Sequence, residues 1–252
     1  MKMSKTILIG LAWVVAALVF NAGIYLLQGQ QKALEFLTGY VIELSLSVDN
    51  LFVFYLIFSQ FKVSTADQSK ILTWGVLGAQ LMRAIFILSG IALLQHFRWV
   101  IYAFGILLVF SGVKIFLKSD KTIHPDPDRM SHFLNRFLPV NLSRFLIILI
   151  LVEAADLLFA VDSIPAVLAV TKDPFIVYTS NIFAILGLRS LYFVLSPVID
   201  KFHYLHYGLG IILAFVGFKM ITEHFWPIPI GYALGFILLT LIVSVFVSLR
   251  KK

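Results

Sequence analysis

The stretch E-L-S-L-S-V-D-N, from Glu43 to Asn50, places two carboxylates inside an apolar run that extends from Phe36 to Phe58. About 20 apolar residues are enough to cross a bilayer as a helix. A charged side chain at the centre of such a helix costs about 2.5 to 3.5 kcal/mol on insertion scales. The stretch therefore predicts a membrane-spanning helix in which something offsets the cost of the two acids.

The composition places the whole chain in the class of polytopic membrane proteins. Of the 252 residues, 60% are hydrophobic and 13% charged, and the mean hydropathy is +0.97. These values exclude an ordinary soluble domain and predict an all-α bundle. Eight apolar segments are long enough to span, at 7–27, 36–58, 71–94, 99–117, 145–169, 175–196, 206–222 and 228–249.

The basic residues predict the orientation of these spans. With eight spans, fourteen lysines and arginines fall at the termini and in the loops on one side, and four fall on the other. The positive-inside rule then puts both termini in the cytoplasm of a bacterial inner membrane. The net charge of +7 is a topology signal and an attraction to anionic lipid, so the bilayer is an expected partner and nucleic acid is not.

The chain is predicted to form one transmembrane domain over 1–252. It has an extra N-terminal span at 7–27 and a last span at 228–249, and the polar loop 118–143 is too short to be a domain. No phosphate-binding loop is present, so the chain is not expected to be a nucleotide hydrolase. The absence of cysteine excludes disulfides and thiolate metal ligands.

An internal repeat predicts a transporter architecture. The acidic stretch recurs as D-L-L-F-A-V-D-S, from Asp156 to Ser163, and Tyr102–Lys114 matches Tyr207–Lys219 at seven of thirteen positions. Residues 36–117 thus form repeat 1 and residues 145–222 form repeat 2. Because each repeat has three spans, the second copy must enter the membrane from the opposite face. Such inverted repeats are typical of secondary transporters, which bind substrate at the repeat interface near the midplane.

The buried acids predict a cation site. Five carboxylates lie inside predicted spans, whereas only two arginines, Arg83 and Arg189, are there to pair with them. A divalent cation would offset the excess charge. Oxygen ligands without nearby histidine or cysteine favour Mn²⁺, Mg²⁺ or Ca²⁺, among which the spacing does not choose. No cofactor is expected to be bound permanently. Ser47, Ser163 and Asn181 are candidate auxiliary ligands, and the two arginines are assigned to structure or gating.

The helix period creates a difficulty for this site. Glu43 and Asp49 point about 120° apart on a straight helix, as do Asp156 and Asp162. Convergence of each pair requires the helix to unwind. Pro165 removes a backbone hydrogen bond close to Asp162, so a break is predicted there.

The segment V-E-A-A-D-L-L-F-A-V-D-S-I-P-A, which begins at Val152, and the opening stretch together resemble the signatures of the TerC family of bacterial membrane proteins. The resemblance implies manganese export and a link to tellurium resistance. It also implies that the chain lacks one N-terminal span of longer relatives. It would place the metal ligands at Glu43, Asp49, Asn50, Glu153, Asp156 and Asp162.

Two other functions remain open at this point. The chain could be a membrane scaffold or a stress-resistance protein of the tellurium type that does not transport, with structural acids and a recruiting loop at 118–143. It could also be an intramembrane hydrolase that uses Asp49 and Asp162, since paired aspartates share a proton and activate water. The direction of transport, the coupling ion and assembly into a homo-oligomer are not determined by the residues.

Overall fold

The structure is a computed structural model that describes residues 3–97, 99–117, 143–196 and 204–250. Within these residues it contains eight helices and no strand, which confirms the predicted all-α bundle. The helices are α1 Met3–Gln28, α2 Gln30–Gln60, α3 Thr65–His96, α4 Val100–Leu117, α5 Arg144–Leu168, α6 Pro174–Leu195, α7 Leu205–Thr222 and α8 Ile230–Arg250. Nearly all of the predicted loop 118–143 lies outside the described residues.

Seven of these helices, all except α5, are long and apolar enough to cross a membrane. Helix α5 has the length, at 25 residues, but carries Glu153, Asp156 and Asp162. It packs against α2, α3 and α4 and buries about half of its residues. The acids therefore lie on a helix that its neighbours surround, and its inclusion as an eighth span stays a prediction.

Side-chain caps set where several helices begin. Ser64 and Ser143 accept hydrogen bonds from the first turns of α3 and α5. Asp173 caps α6 in the same way, and Pro174 occupies its first position, where a missing N–H costs nothing. These polar residues explain why the hydrophobic segments start as separate helices and do not merge.

The predicted break at Pro165 is wrong. Helix α5 runs without interruption to Leu168, with Pro165 inside it, and α2 is continuous over Gln30–Gln60. Only the last turn of α5 follows the proline, so the loss of one backbone hydrogen bond there is local. Asp156 and Asp162 therefore keep the directions that a straight helix gives them.

The helices of the two repeats pack across one another. The most extensive contact joins α4 to α7, and the next two join α2 to α6 and α3 to α5. Because α2 corresponds to α5 and α3 to α6, the last two contacts are equivalent under exchange of the repeats. The inverted relation itself stays a prediction. Helices α1 and α8 lie outside this core, α1 against α6 and α2, and α8 against α7 and α2.

The two matching segments Tyr102–Lys114 and Tyr207–Lys219, here called the glycine blocks, form the contact between α4 and α7. A Cβ on Gly112 would lie 2.5 Å from the carbonyl oxygen of Gly210, and a Cβ on Gly217 would lie 2.6 Å from that of Gly105. Gly105 thus meets Gly217 and Gly112 meets Gly210, so the helices run antiparallel. Small residues that let backbones approach closely are a known device of membrane helices.

Alternate loops meet at one end of the bundle. Lys32 pairs with Asp173 at 2.9 Å, Thr171 donates to Glu35 at 2.6 Å, and Lys219 donates to the carbonyl oxygen of Ala169 at 3.2 Å. These contacts join the start of α2, the α5–α6 loop and the end of α7 around an open cavity of about 580 Å³. These three regions lie at the same end of the bundle, as expected if successive helices cross the membrane in opposite directions.

Candidate cation-binding site

A buried ion-pair cluster lies at the centre of the bundle. The guanidinium of Arg83, on α3, donates from Nε and Nη2 to the two oxygens of Asp156, each at 3.1 Å. Its Nη1 donates to Oε1 of Glu43 on α2. The three residues are 1%, 4% and 1% exposed, respectively. Arg83 thus pairs with one acid from each repeat.

Amide and hydroxyl groups complete the surroundings of this cluster. Asn50 donates from Nδ2 to Oδ1 of Asp156 at 3.1 Å. Ser163 and Asn181 each accept from Nη1 of Arg83 at 3.5 Å. All three residues are buried. The structure thus brings together five of the predicted residues from α2, α5 and α6 around the guanidinium from α3.

A spacing of seven residues selects the members of the cluster. Glu43 and Asn50 are seven apart on α2, and their repeat equivalents, Asp156 and Ser163, are seven apart on α5. Seven residues bring a helix almost back to the same face. Sequence reasoning paired the acids at a spacing of six instead, although this heptad signal was present in both copies.

Several oxygens of the cluster have no hydrogen-bond partner. Oε2 of Glu43, Oδ1 of Asn50 and Oγ of Ser47 are buried and unpartnered within the described structure. Ser47 lies one turn from both Glu43 and Asn50 on the same face of α2. Buried polar atoms nearly always have a hydrogen-bond partner in proteins. These three oxygens are hard ligand atoms of the kind that bind Mn²⁺, Mg²⁺ or Ca²⁺.

Glu153 lies one turn from Asp156 and faces α3. A Cβ on Gly78 would lie 2.5 Å from Oε1 of Glu153, so glycine leaves the room that this carboxylate occupies. Oε2 of Glu153 is buried and has no hydrogen-bond partner in the described part of the chain. Both acids line a cavity of about 10 Å³ together with Arg189. Such a space holds about one water molecule.

Two predicted residues form their hydrogen bonds outside the cluster. Asp162 accepts a hydrogen bond from Ser111 of α4 at 2.8 Å, so it faces a different neighbour from Asp156. Arg189 donates to Ser69 at 2.6 Å and, among the described residues, forms no ion pair. The two arginines of the repeat are therefore not equivalent in their contacts.

The metal assignment stays a prediction. The side chain of Asp49 lies outside what the structure describes. Among the described side chains, no group of three or more acids or histidines is arranged as a ready metal site. Glu43 and Asp156 are joined through Arg83, which lies between them.

Sequence reasoning missed the polar cluster at the end of the bundle. Glu35 and Lys219 are 8% and 3% exposed, respectively, and both bond to the α5–α6 loop. Burial opposes ionisation of Asp173, but the hydrogen bond and charge of Lys32 and the backbone N–H groups at the start of α6 outweigh it. Together they lower the pKa of the Asp173 carboxyl below its ordinary value. In the sequence, the sign of this polar cluster was a charged residue beside each predicted helix end.

Comparison with known proteins places the chain among bacterial membrane proteins. It is 45% identical to "Uncharacterized membrane protein STKORF319" of Myxococcus xanthus, over 95% of this chain and 81% of the relative. It is 42% identical to "Putative membrane-bound redox modulator Alx" of Escherichia coli strain K12, over 99% of this chain and 87% of the relative. No solved structure matches the chain.

The family assignment rests on these relatives and on a family match that covers most of the chain. Residues 28–252 match the family described as "Integral membrane protein TerC family". The matched range begins near the end of α1 and includes both acidic helices and both glycine blocks. The chain belongs to the TerC family of integral membrane proteins.

Proposed function

We propose that this protein is a secondary transporter that exports a divalent cation, with Mn²⁺ as the favoured substrate. The observation that carries the proposal is the meeting of Glu43 and Asp156 inside the bundle, one from each acidic helix. Burial of paired charges is weak evidence for stability, because apolar residues of similar volume often stabilise as well or better. A functional demand therefore explains their presence better than folding does.

The donor set supports a hard cation as substrate. The groups around the cluster are carboxylate, amide and hydroxyl, and none of the described residues in it is a histidine. Oxygen donors suit Mn²⁺, Mg²⁺ and Ca²⁺ better than Zn²⁺ or Cu²⁺. The choice of Mn²⁺ and of export comes from the resemblance to the TerC family.

A thiol-based redox activity does not suit this chain. Some relatives carry a name that refers to redox modulation. This chain has no cysteine, so thiol–disulfide exchange within it is excluded. An effect on cellular redox state would then be indirect, through the supply of a metal ion.

The proposal is tested by cation flux into proteoliposomes that contain the purified full chain. We expect Glu43→Gln and Asp156→Asn each to lower Mn²⁺ flux at least about tenfold, because loss of a buried charged partner costs more than about 1.4 kcal/mol. Asp67→Asn, which changes an exposed carboxylate at the start of α3, is the matched control and should transport normally. Mg²⁺, Ca²⁺ and Zn²⁺ as competitors would rank the ions.

Correct folding of each variant is checked by gel filtration and circular dichroism before its flux is interpreted. Wild-type flux in both folded site variants would refute the central site. The absence of flux in folded wild-type protein under every imposed gradient would refute transport and favour the scaffold function.

A further inference from the structure

Arg83 already supplies a positive charge to the acids that the proposed function assigns to the substrate. All three nitrogens of its guanidinium donate hydrogen bonds, two of them to Asp156 and the third to Glu43. The side chain is 1% exposed. A planar guanidinium that forms two parallel bonds to a carboxylate is a strong and directional partner.

The cluster nevertheless has more acceptors than Arg83 uses. Among the residues that the structure describes, Oε2 of Glu43, Oδ1 of Asn50 and Oγ of Ser47 are buried and have no hydrogen-bond partner. A buried ionic network that served only the fold would be expected to satisfy all of its members, since each unpaired group is costly in a medium of low dielectric constant. The surplus oxygens are ligands that a divalent cation could add to the two carboxylates.

Space decides how such a cation would reach the acids. The guanidinium of Arg83 occupies the place between the two acids, because it donates to Oε1 of Glu43 and to both oxygens of Asp156. Binding of the ion between Glu43 and Asp156 requires the guanidinium to leave.

We propose that Arg83 is a tethered cation that competes with the transported ion for Glu43 and Asp156. The inference rests on the proposed function and deepens it. In the loaded state the divalent ion balances the charge of both carboxylates, and in the unloaded state Arg83 balances one negative charge and holds both carboxylates by hydrogen bonds. The empty protein can then change conformation without two bare carboxylates in its interior, which would be strongly unfavourable.

The first test measures equilibrium binding of Mn²⁺ to the purified full chain, from the loss of the electron paramagnetic resonance signal of free Mn²⁺. We expect Arg83→Gln to lower the Kd for Mn²⁺ at least tenfold, because the competitor is gone. Arg83→Lys should also bind more tightly than wild type, since a compact ammonium cannot hold both carboxylates with the same geometry. Arg144→Gln, which removes a bond to the backbone of Phe61, is the control and should leave Kd unchanged.

The second test separates net transport from exchange in proteoliposomes. Arg83→Gln should lose net Mn²⁺ flux, because the unloaded protein cannot return with uncompensated acids. The same variant should retain exchange of Mn²⁺ for Mn²⁺, in which the site stays loaded in both directions. If Arg83 has a purely structural role, Arg83→Gln should raise the Kd for Mn²⁺. Net flux and exchange should then fall together.

Each outcome decides between the two proposals. If wild type binds Mn²⁺ but both folded Arg83 variants bind it equally or more weakly, the competitor inference is overturned and the transport proposal stands. If Arg83→Gln does not fold, the Kd of Arg83→Lys alone makes the same decision. If folded wild type and folded Arg83 variants all fail to bind Mn²⁺, the proposed function fails and the inference falls with it.

Discussion

Replacement of Gly112 by alanine tests whether the close crossing of α4 and α7 holds the two repeats together. The new Cβ would lie 2.5 Å from the carbonyl oxygen of Gly210 and 2.7 Å from the backbone nitrogen of Ala214. Both contacts are with backbone, so no side chain can turn away to relieve them. Ordinary contact begins at 3.4 Å, and the helices must therefore separate by about 0.9 Å at this point.

A separation of that size weakens packing along the crossing. A gap of about 0.5 to 1 Å forfeits a quarter to a half of the dispersion energy of the atoms that face it. Overpacked sites in well-packed cores typically cost about 1 to 3 kcal/mol, and we expect Gly112→Ala to lower the free energy of unfolding by that amount.

The measurement is unfolding by sodium dodecyl sulfate in mixed micelles, followed by tryptophan fluorescence. Gly235→Ala is the matched control, because it lies in α8 and a Cβ there meets no atom within 4 Å. The control should be neutral or up to about 1 kcal/mol more stable, since alanine is the better helix former. Equal unfolding midpoints for Gly112→Ala and Gly235→Ala would show that the crossing is not tightly packed.

Two further substitutions test the other polar regions. Gly78→Ala should lower Mn²⁺ flux in proteoliposomes while the protein stays folded, because its Cβ would displace the Glu153 carboxylate; Gly75→Ala, whose Cβ would lie 3.6 Å from the same oxygen, should not. Asp173→Asn keeps the helix cap but removes the charge opposite Lys32, so it should cost under about 1 kcal/mol at pH 7. Because the pKa of Asp173 is lowered from 3.8, wild type should lose this advantage as the pH falls below about 4, and thermal unfolding at pH 7 and pH 3 would show whether the gap closes.

Much of the fold follows from the sequence. The eight helices of the described residues coincide with the eight apolar segments, because a length of about 20 apolar residues is an almost direct property of the chain. The seven-residue spacing of Gly105 and Gly112 likewise marks one face of a helix before any partner is known. Arg83 was identifiable as a partner of the acids, since a buried charge needs a counter-charge.

The sequence by itself determined that carboxylates lie inside a helical membrane protein and that they recur in two copies. Only the tertiary structure decided which of them meet. Because α3 packs against α5 and the helices stay unbroken, Arg83 reaches both Glu43 and Asp156, whereas Asp162 turns toward Ser111. Helix periodicity fixes the face on which each acid lies, but the neighbour that covers the face is set by packing between distant parts of the chain.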